Sequence, residues 1–391
     1  MQHTRGRRIA SRHDNLSAYL FIGPSALIIG VFGIFPVFFT AYVSLHKWRL
    51  LKVSFQWLAN YARLFGENPL YLLAFVASIS GCILAAILIR RNRGRGGPVI
   101  LALGLVLLAC SIAGLAVSLP YLASNGDMEI FDSLRVTIWY SLFTVPIQLI
   151  AGMVLAVILT QSLAGKQAFR VIYLIPYIAP AVATAAVFEL LLSLKPESFA
   201  NQILHMLGKE PLQWLAEPLG IVPLLFGAIT RTGADSAVLS SYWTQWAQGP
   251  SLALVSIIVY SWWVFIGYYA LIYLNGLSSI SRQLYEAAEV DGASKLRSFF
   301  SITIPLLSPT TYFLTLLGVI GTFKAFNHIY VLRHPSAAGT VDPISVSIFF
   351  TAFRKGNLGY ASALSIILFV IVLGLTILQQ RTLERGVTYG D

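Results

Sequence analysis

Charge is scarce in this chain: Asp, Glu, Lys and Arg make up 11% of its 391 residues, against 57% hydrophobic residues. A soluble domain carries roughly a quarter of its residues as charges. With a mean hydropathy of +0.74, the chain reads instead as an integral membrane protein. Acid is scarcer than base, 16 Asp and Glu against 27 Lys and Arg, for a formal charge of +11. Such a surplus would suit nucleic acid, but no basic domain exists to carry that footprint; the arginines cluster beside apolar segments, as membrane orientation requires. Only two cysteines occur, Cys82 and Cys110, both inside apolar stretches, which excludes a disulfide framework and a cysteine metal site and leaves them as small packing residues. His, Asp and Glu show no metal-ligand spacing, and no GxSxG elbow favours a hydrolase. The nearest approach to a phosphate-wrapping loop, Gly165-Lys166-Gln167, lacks the Ser or Thr and the earlier glycine of GxxxxGK[ST], so ATP hydrolysis would have to come from another polypeptide. Strand alternation is absent.

Long apolar runs are present in number. Windows of about 20 residues give eight expected helical spans, at 18–43, 70–89, 98–122, 134–160, 169–193, 251–275, 306–328 and 358–379. The first is too long for a cleavable signal and reads as an anchor helix. With the N-terminus inside, the cytoplasmic pieces are 1–17, 90–97, 161–168, 276–305 and 380–391, and they include the run Arg90-Arg91-Asn92-Arg93-Gly94-Arg95. The intervening loop 123–133 has Asp127, Glu129 and Asp132 but no Lys or Arg, as the positive-inside rule expects. The loop near Lys47, Arg49 and Lys52 departs from that rule. The longest extramembrane segment, 195–250, would lie outside, with Trp214, Trp243 and Trp246 at interfacial positions. A tilted or re-entrant ninth segment at 212–230 is the alternative; a full crossing there would move residues 276–305 to the other side.

Between the sixth and seventh spans, EAAEVDGASKLRSFFSITIP (286–305) is polar and built as two short helices. The first would run from about Arg282 to Val290, with Leu284, Ala287 and Ala288 on one side, and would end at Asp291-Gly292 because glycine takes the left-handed conformation cheaply. The second would carry Leu296, Phe299 and Phe300 at helical spacing until Pro305 closes it. Polar positions inside the spans are candidates for a path, since lipid penalises them unless they face a hydrated interior. Tyr177 and Tyr268 would offer ring faces and hydroxyls, and Ser261 and Thr322 hydroxyls. Glu189, Lys324 and His328 fall near outer span ends and remain ambiguous. Pro24, Pro36, Pro146, Pro176 and Pro180 would bend or open their helices.

The pattern Glu286-Ala287-Ala288, Gly292, Ile302, Ile304-Pro305 resembles the coupling loop of permease subunits in bacterial binding-protein-dependent ABC importers, with Ile304 in a leucine position as its departure. Residues 19–48, Asn60-Tyr61-Ala62-Arg63-Leu64-Phe65 and Phe169–Tyr177 are similar to sugar permeases related to the larger maltose-permease subunit and the glycerol-phosphate permease. The resemblance implies an all-α type I importer permease fold of about eight spans in the bacterial inner membrane, both termini cytoplasmic. It divides the chain into 1–69 (tail, first helix and outer loop), an inserted two-helix hairpin at 70–122, a transport core at 134–380 and a tail at 381–391. It implies a non-catalytic subunit that binds no cofactor, ATP and Mg residing on two partner ATPase subunits, with a second permease, an extracytoplasmic binding protein and membrane lipid as further partners. Glu286, Ala287, Ala288, Asp291, Gly292, Leu296, Phe299, Phe300 and Pro305 would couple to the ATPase. Matching positions outward from these anchors gives a path for a small sugar or polyol derivative at Tyr177, Ala181, Ser261, Val264, Phe265, Tyr268, Gly318 and Thr322; Ala181, Phe265 and Gly318 replace polar groups of the maltose subunit, which argues against maltose itself. The rivals are an importer of this architecture for another solute class and an ion-coupled secondary transporter, which would need paired membrane carboxylates or an inverted repeat.

Overall fold

Lipid offers no partner to an open backbone N–H or C=O, so apolar spans must be helical. The computed structural model describes residues 19–49, 51–92, 98–161, 165–226 and 238–383. The tail 1–17, Arg93 and Arg95, residues 227–230 and 384–391 lie outside the described residues. Six helices among those described are long and apolar enough to cross a membrane: Tyr19–Ser44, Pro69–Ile89, Val99–Asn125, Met128–Thr160, Leu252–Ser278 and Leu358–Thr382. Two bent helix pairs, Gln167–Ile178 with Ala181–Leu191 at 95° and Lys295–Leu306 with Ser308–Phe323 at 61°, bring the number to eight if each pair counts as one span.

Both bends have identifiable causes. The expected continuous span 169–193 breaks because Ala179, preceding Pro180, is driven into extended backbone (ψ 147°). The second break falls at Leu307. Pro309 has no N–H for the Pro305 carbonyl, which instead accepts from the Ser308 hydroxyl at 2.6 Å. Contrary to the expectation from sequence, Pro305 does not close the preceding helix; the chain passes through a widened π turn at Phe299–Thr303 and continues past Pro305 to Leu306.

The described chain divides into two units. In the first, residues up to Tyr61 join Ile348–Phe369. A short antiparallel pair, His46–Trp48 with Lys52–Phe55, follows the first helix. Asn60 fixes that exit: its amide donates to the carbonyls of Ser44 (2.7 Å) and His46 (3.1 Å). A Cβ at Gly359 would stand 2.2 Å from the His46 carbonyl oxygen, so only glycine admits this approach.

The second unit holds the rest. Pro69–Asn92 and Pro98–Asn125 form a hairpin in which Gly81 packs on Ser111 and Gly114 on Ser78, the small-residue contact that lets membrane helices approach. Cys82 is half-buried but Cys110 is exposed, and both are free, so Cys110 is not the packing residue expected. The expected loop 123–133 is also shorter than its sequence suggests. The hairpin runs to Asn125 and the next helix begins at Met128, putting Asp127 at the N-cap and Glu129 in the first turn, where the helix dipole favours acid. In that hairpin Pro120 frees the Ala116 carbonyl from its intrahelical partner. The freed oxygen accepts from the Trp243 indole at 2.9 Å, tying the hairpin to helix Val238–Ala247.

Segment 195–250 contains three short described helices, Phe199–Met206, Ile221–Phe226 and Val238–Ala247. Asn201 organises the first part, accepting from Leu212 N–H (3.0 Å) and the Trp214 indole (2.9 Å) while donating to the Lys195 carbonyl (3.1 Å). At the centre, Met128–Thr160 packs along Leu252–Ser278. The span expected at 306–328 ends early: helix Ser308–Phe323 stops at Lys324, a cation favoured at a helix C-terminus, and Asn327–Leu332 forms a separate short helix.

Candidate functional site: a mid-bundle cavity and a two-helix loop

Near the middle of Met128–Thr160, Tyr140, Thr144 and Gln148 recur every fourth residue and so share one helix face. They line a cavity of about 410 Å³ together with Tyr177, Ala181, Phe265, Tyr268, Gly318, Thr322 and His328, among others. Six of the residues placed on a path by resemblance thus come together. Ser261 and Val264 do not line it; both are buried in packing. Gly318 is small for a local reason, since a Cβ there would lie 2.5 Å from the Tyr269 hydroxyl.

Ser261 works behind the wall. Its hydroxyl lies 3.0 Å from the Ile257 carbonyl and shares a hydrogen bond with the Tyr140 hydroxyl, 2.7 Å away. The Tyr140 hydroxyl also lies 2.8 Å from His328 Nε2, extending the chain of hydrogen bonds to the imidazole. Gln148 adds a bond to the Ser261 carbonyl at 3.0 Å. These groups are satisfied in a setting where an unmet polar group costs about 1–3 kcal/mol. Sequence reasoning missed Tyr140, Thr144 and Gln148, although their four-residue spacing in an apolar span was the available signal. It placed His328 at a span end, whereas the break at Lys324 returns it to the Tyr140 wall.

Tyr177 and Tyr268 were expected as separate platforms. Their rings stack on each other, centroids 4.4 Å apart at 17°, with Phe265 edge-on to Tyr177 at 5.8 Å. Each ring covers one face of the other, so a ligand reaches those inner faces only if the pair parts.

The loop is built from Arg282–Val290 and Lys295–Leu306. Gly292 has φ +76° and closes the first helix with paired bonds, Gly292 N–H to the Glu289 carbonyl (3.0 Å) and Ala293 N–H to that of Ala288 (2.8 Å), the Schellman arrangement. Asp291 caps the helix, and Ser294 opens the next, its hydroxyl accepting from Arg297 N–H at 3.3 Å. Glu286 pairs with exposed Arg282 at 3.0 Å, and both side chains face solvent, where such a pair contributes about 0.3–0.5 kcal/mol. Ala287 is exposed and Ala288 half-buried. Leu296 (68% exposed) and Phe300 (59%) stand out from the surface with Val290 (88%), which sequence reasoning did not single out. Phe299 was grouped with them but turns inward, lining a groove of about 370 Å³ with Val157, Thr160, Tyr285 and Thr303. Tyr285 and Thr303 hydroxyls, 2.9 Å apart, bind the two short helices together.

A family model described as "Binding-protein-dependent transport system inner membrane component" matches residues 148–388, more than half of the chain and all of the loop. The chain belongs to that family. This inner membrane component is 32% identical over 257 residues to the trehalose/maltose transport system permease protein MalF of Thermococcus litoralis, covering 66% of this chain and 76% of the relative. It is 30% identical over 266 residues to the sn-glycerol-3-phosphate transport system permease protein UgpA of Rhizobium meliloti, covering 68% and 79%. A solved bacterial ABC transporter involved in import of the acidic polysaccharide alginate contains a chain that matches with TM-score 0.55 at 19% identity, over 76% of this chain and 97% of that one. The fold is that of a type I ABC importer permease. The hairpin and the first helix precede the matched residues.

Proposed function

We propose that the chain is the membrane-spanning permease subunit of an ABC importer for a carbohydrate or polyol derivative. A separate binding protein delivers the solute from outside, a second permease completes the pathway, and two partner ATPase subunits bind ATP and Mg and supply the power. This chain performs no chemistry. The carbohydrate class is supported by the names of the relatives and by the aromatic and hydroxyl lining of the cavity. Both termini, in this reading, are cytoplasmic.

The observation that supports the mechanism is the unbroken packing between the loop and the cavity wall. Leu296 and Phe300, on helix Lys295–Leu306, offer apolar surface to a cleft in the ATPase. That helix turns at Leu307, wholly buried in a cluster with Leu159, Tyr269, Tyr273 and Leu314, and Tyr273 donates to Thr311 just beyond at 3.1 Å. The next helix carries Gly318 and Thr322 into the cavity wall. A packed interior transmits displacement rather than absorbing it, so movement of the loop shifts that wall and parts Tyr177 from Tyr268. In proteoliposomes holding the permeases, ATPase subunits and binding protein, uptake is expected only with ATP on the ATPase side. Uptake that persists on an ion gradient without ATPase subunits would assign the chain to secondary transport.

A further inference from the structure

Among the residues lining the Tyr140–Tyr177 cavity there is one formal charge, Lys324, and no carboxylate. Lys324 is exposed and forms no ion pair among the described residues. The same lining presents the apolar faces of Tyr177, Phe265, Leu317 and Phe326. On the same lining, the buried Thr144 hydroxyl has no hydrogen-bond partner, and the Asn327 amide is exposed. A cation with no ion-pair partner and a buried hydroxyl with no partner on one cavity lining call for a ligand that brings negative charge and acceptors.

We propose that the transported solute is anionic, a carbohydrate or polyol bearing a carboxylate or phosphate that Lys324 receives while the aromatic face meets the carbon skeleton. This rests on the reading of the cavity as the solute path. Lys324 also suits the C-terminal end of helix Ser308–Phe323 through the helix dipole, but that role is indifferent to the charge of the solute.

The test is selectivity rather than rate. The complete importer in proteoliposomes is given three probes: a digalacturonate, the neutral digalactose and glycerol 3-phosphate. Wild type is expected to favour one anionic probe over the neutral one, and the preferred anion distinguishes carboxylate from phosphate. Lys324→Gln is expected to lower the anionic-to-neutral uptake ratio on the order of tenfold to a hundredfold, the scale of a hydrogen bond to a charged group. Lys324→Arg is expected to keep it. The binding protein is the same in all forms, so its own preference cancels between variants. A proportional fall for every probe in Lys324→Gln assigns the lysine a structural role and overturns the proposal. Preference of wild type for the neutral sugar overturns it while leaving the importer intact. ATP-driven uptake of none of the three overturns both.

Discussion

Gly292→Pro is expected to abolish uptake while the membrane bundle assembles normally. Gly292 adopts φ +76°, whereas proline is locked near −65° and has no N–H for the bond to the Glu289 carbonyl. The substitution therefore removes the Schellman closure and redirects Lys295–Leu306, at a local cost of about 3 kcal/mol or more. No atom lies within 4 Å of an added Cβ, so the spans themselves are undisturbed. Uptake should fall at least about a hundredfold, since each 1.4 kcal/mol is tenfold, with normal amounts of protein in the membrane and unchanged solute affinity of the binding protein. Gly292→Asn, which tolerates the left-handed region, should retain much of the activity. Normal transport by a well-expressed Gly292→Pro protein would remove the loop from the mechanism.

Gly267→Val should act at the opposite level, on assembly. Helix Lys166–Ile178 crosses Leu252–Ser278 so closely that a Cβ on Gly267 would lie within 2 Å of the Tyr173 carbonyl oxygen, a backbone atom that cannot swing aside. Overpacking a well-filled core costs about 1–3 kcal/mol when side chains can adjust; here a helix must move, and Tyr177, one turn beyond Tyr173, moves with it. Protein yield in the membrane and thermal stability in detergent should both collapse. By contrast, Gly321→Ala, with open space around its Cβ position, should be silent in both measurements. Equal stability of Gly267→Val and wild type would refute the close helix crossing.

The membrane spans were legible because lipid demands long apolar helices, and hydropathy reads that demand directly. Bends were less so: Pro180 and Pro309 remove the same backbone donor, yet only the fold reveals that one produces 95° and the other, with a serine cap, 61°. In the loop, Gly292 announced its conformation, but the inward turn of Phe299 depends on the π turn at Phe299–Thr303, which no spacing rule anticipates. The cavity followed the same division. Tyr177, Phe265 and Tyr268 came from family positions, while the Tyr140, Ser261 and His328 chain required knowing that the backbone leaves its helix at Lys324 and brings position 328 back beside Tyr140. Ser261 and Val264, placed on the path by resemblance, are buried outside the cavity lining, because resemblance gives a position along a helix, not which face a given neighbour covers.

The central claim is that the loop at one end of the bundle controls access to the cavity in its middle. Gly321 lines that cavity and has room for a side chain, so Gly321→Cys, with Cys82 and Cys110 replaced by serine, reports on access through its rate of labelling by a membrane-impermeant thiol reagent from the binding-protein side. In the complete importer, trapping ATP on the ATPase subunits should raise that rate, and Gly292→Pro should erase the rise. A labelling rate indifferent to nucleotide, or a rise that survives Gly292→Pro, would contradict the account.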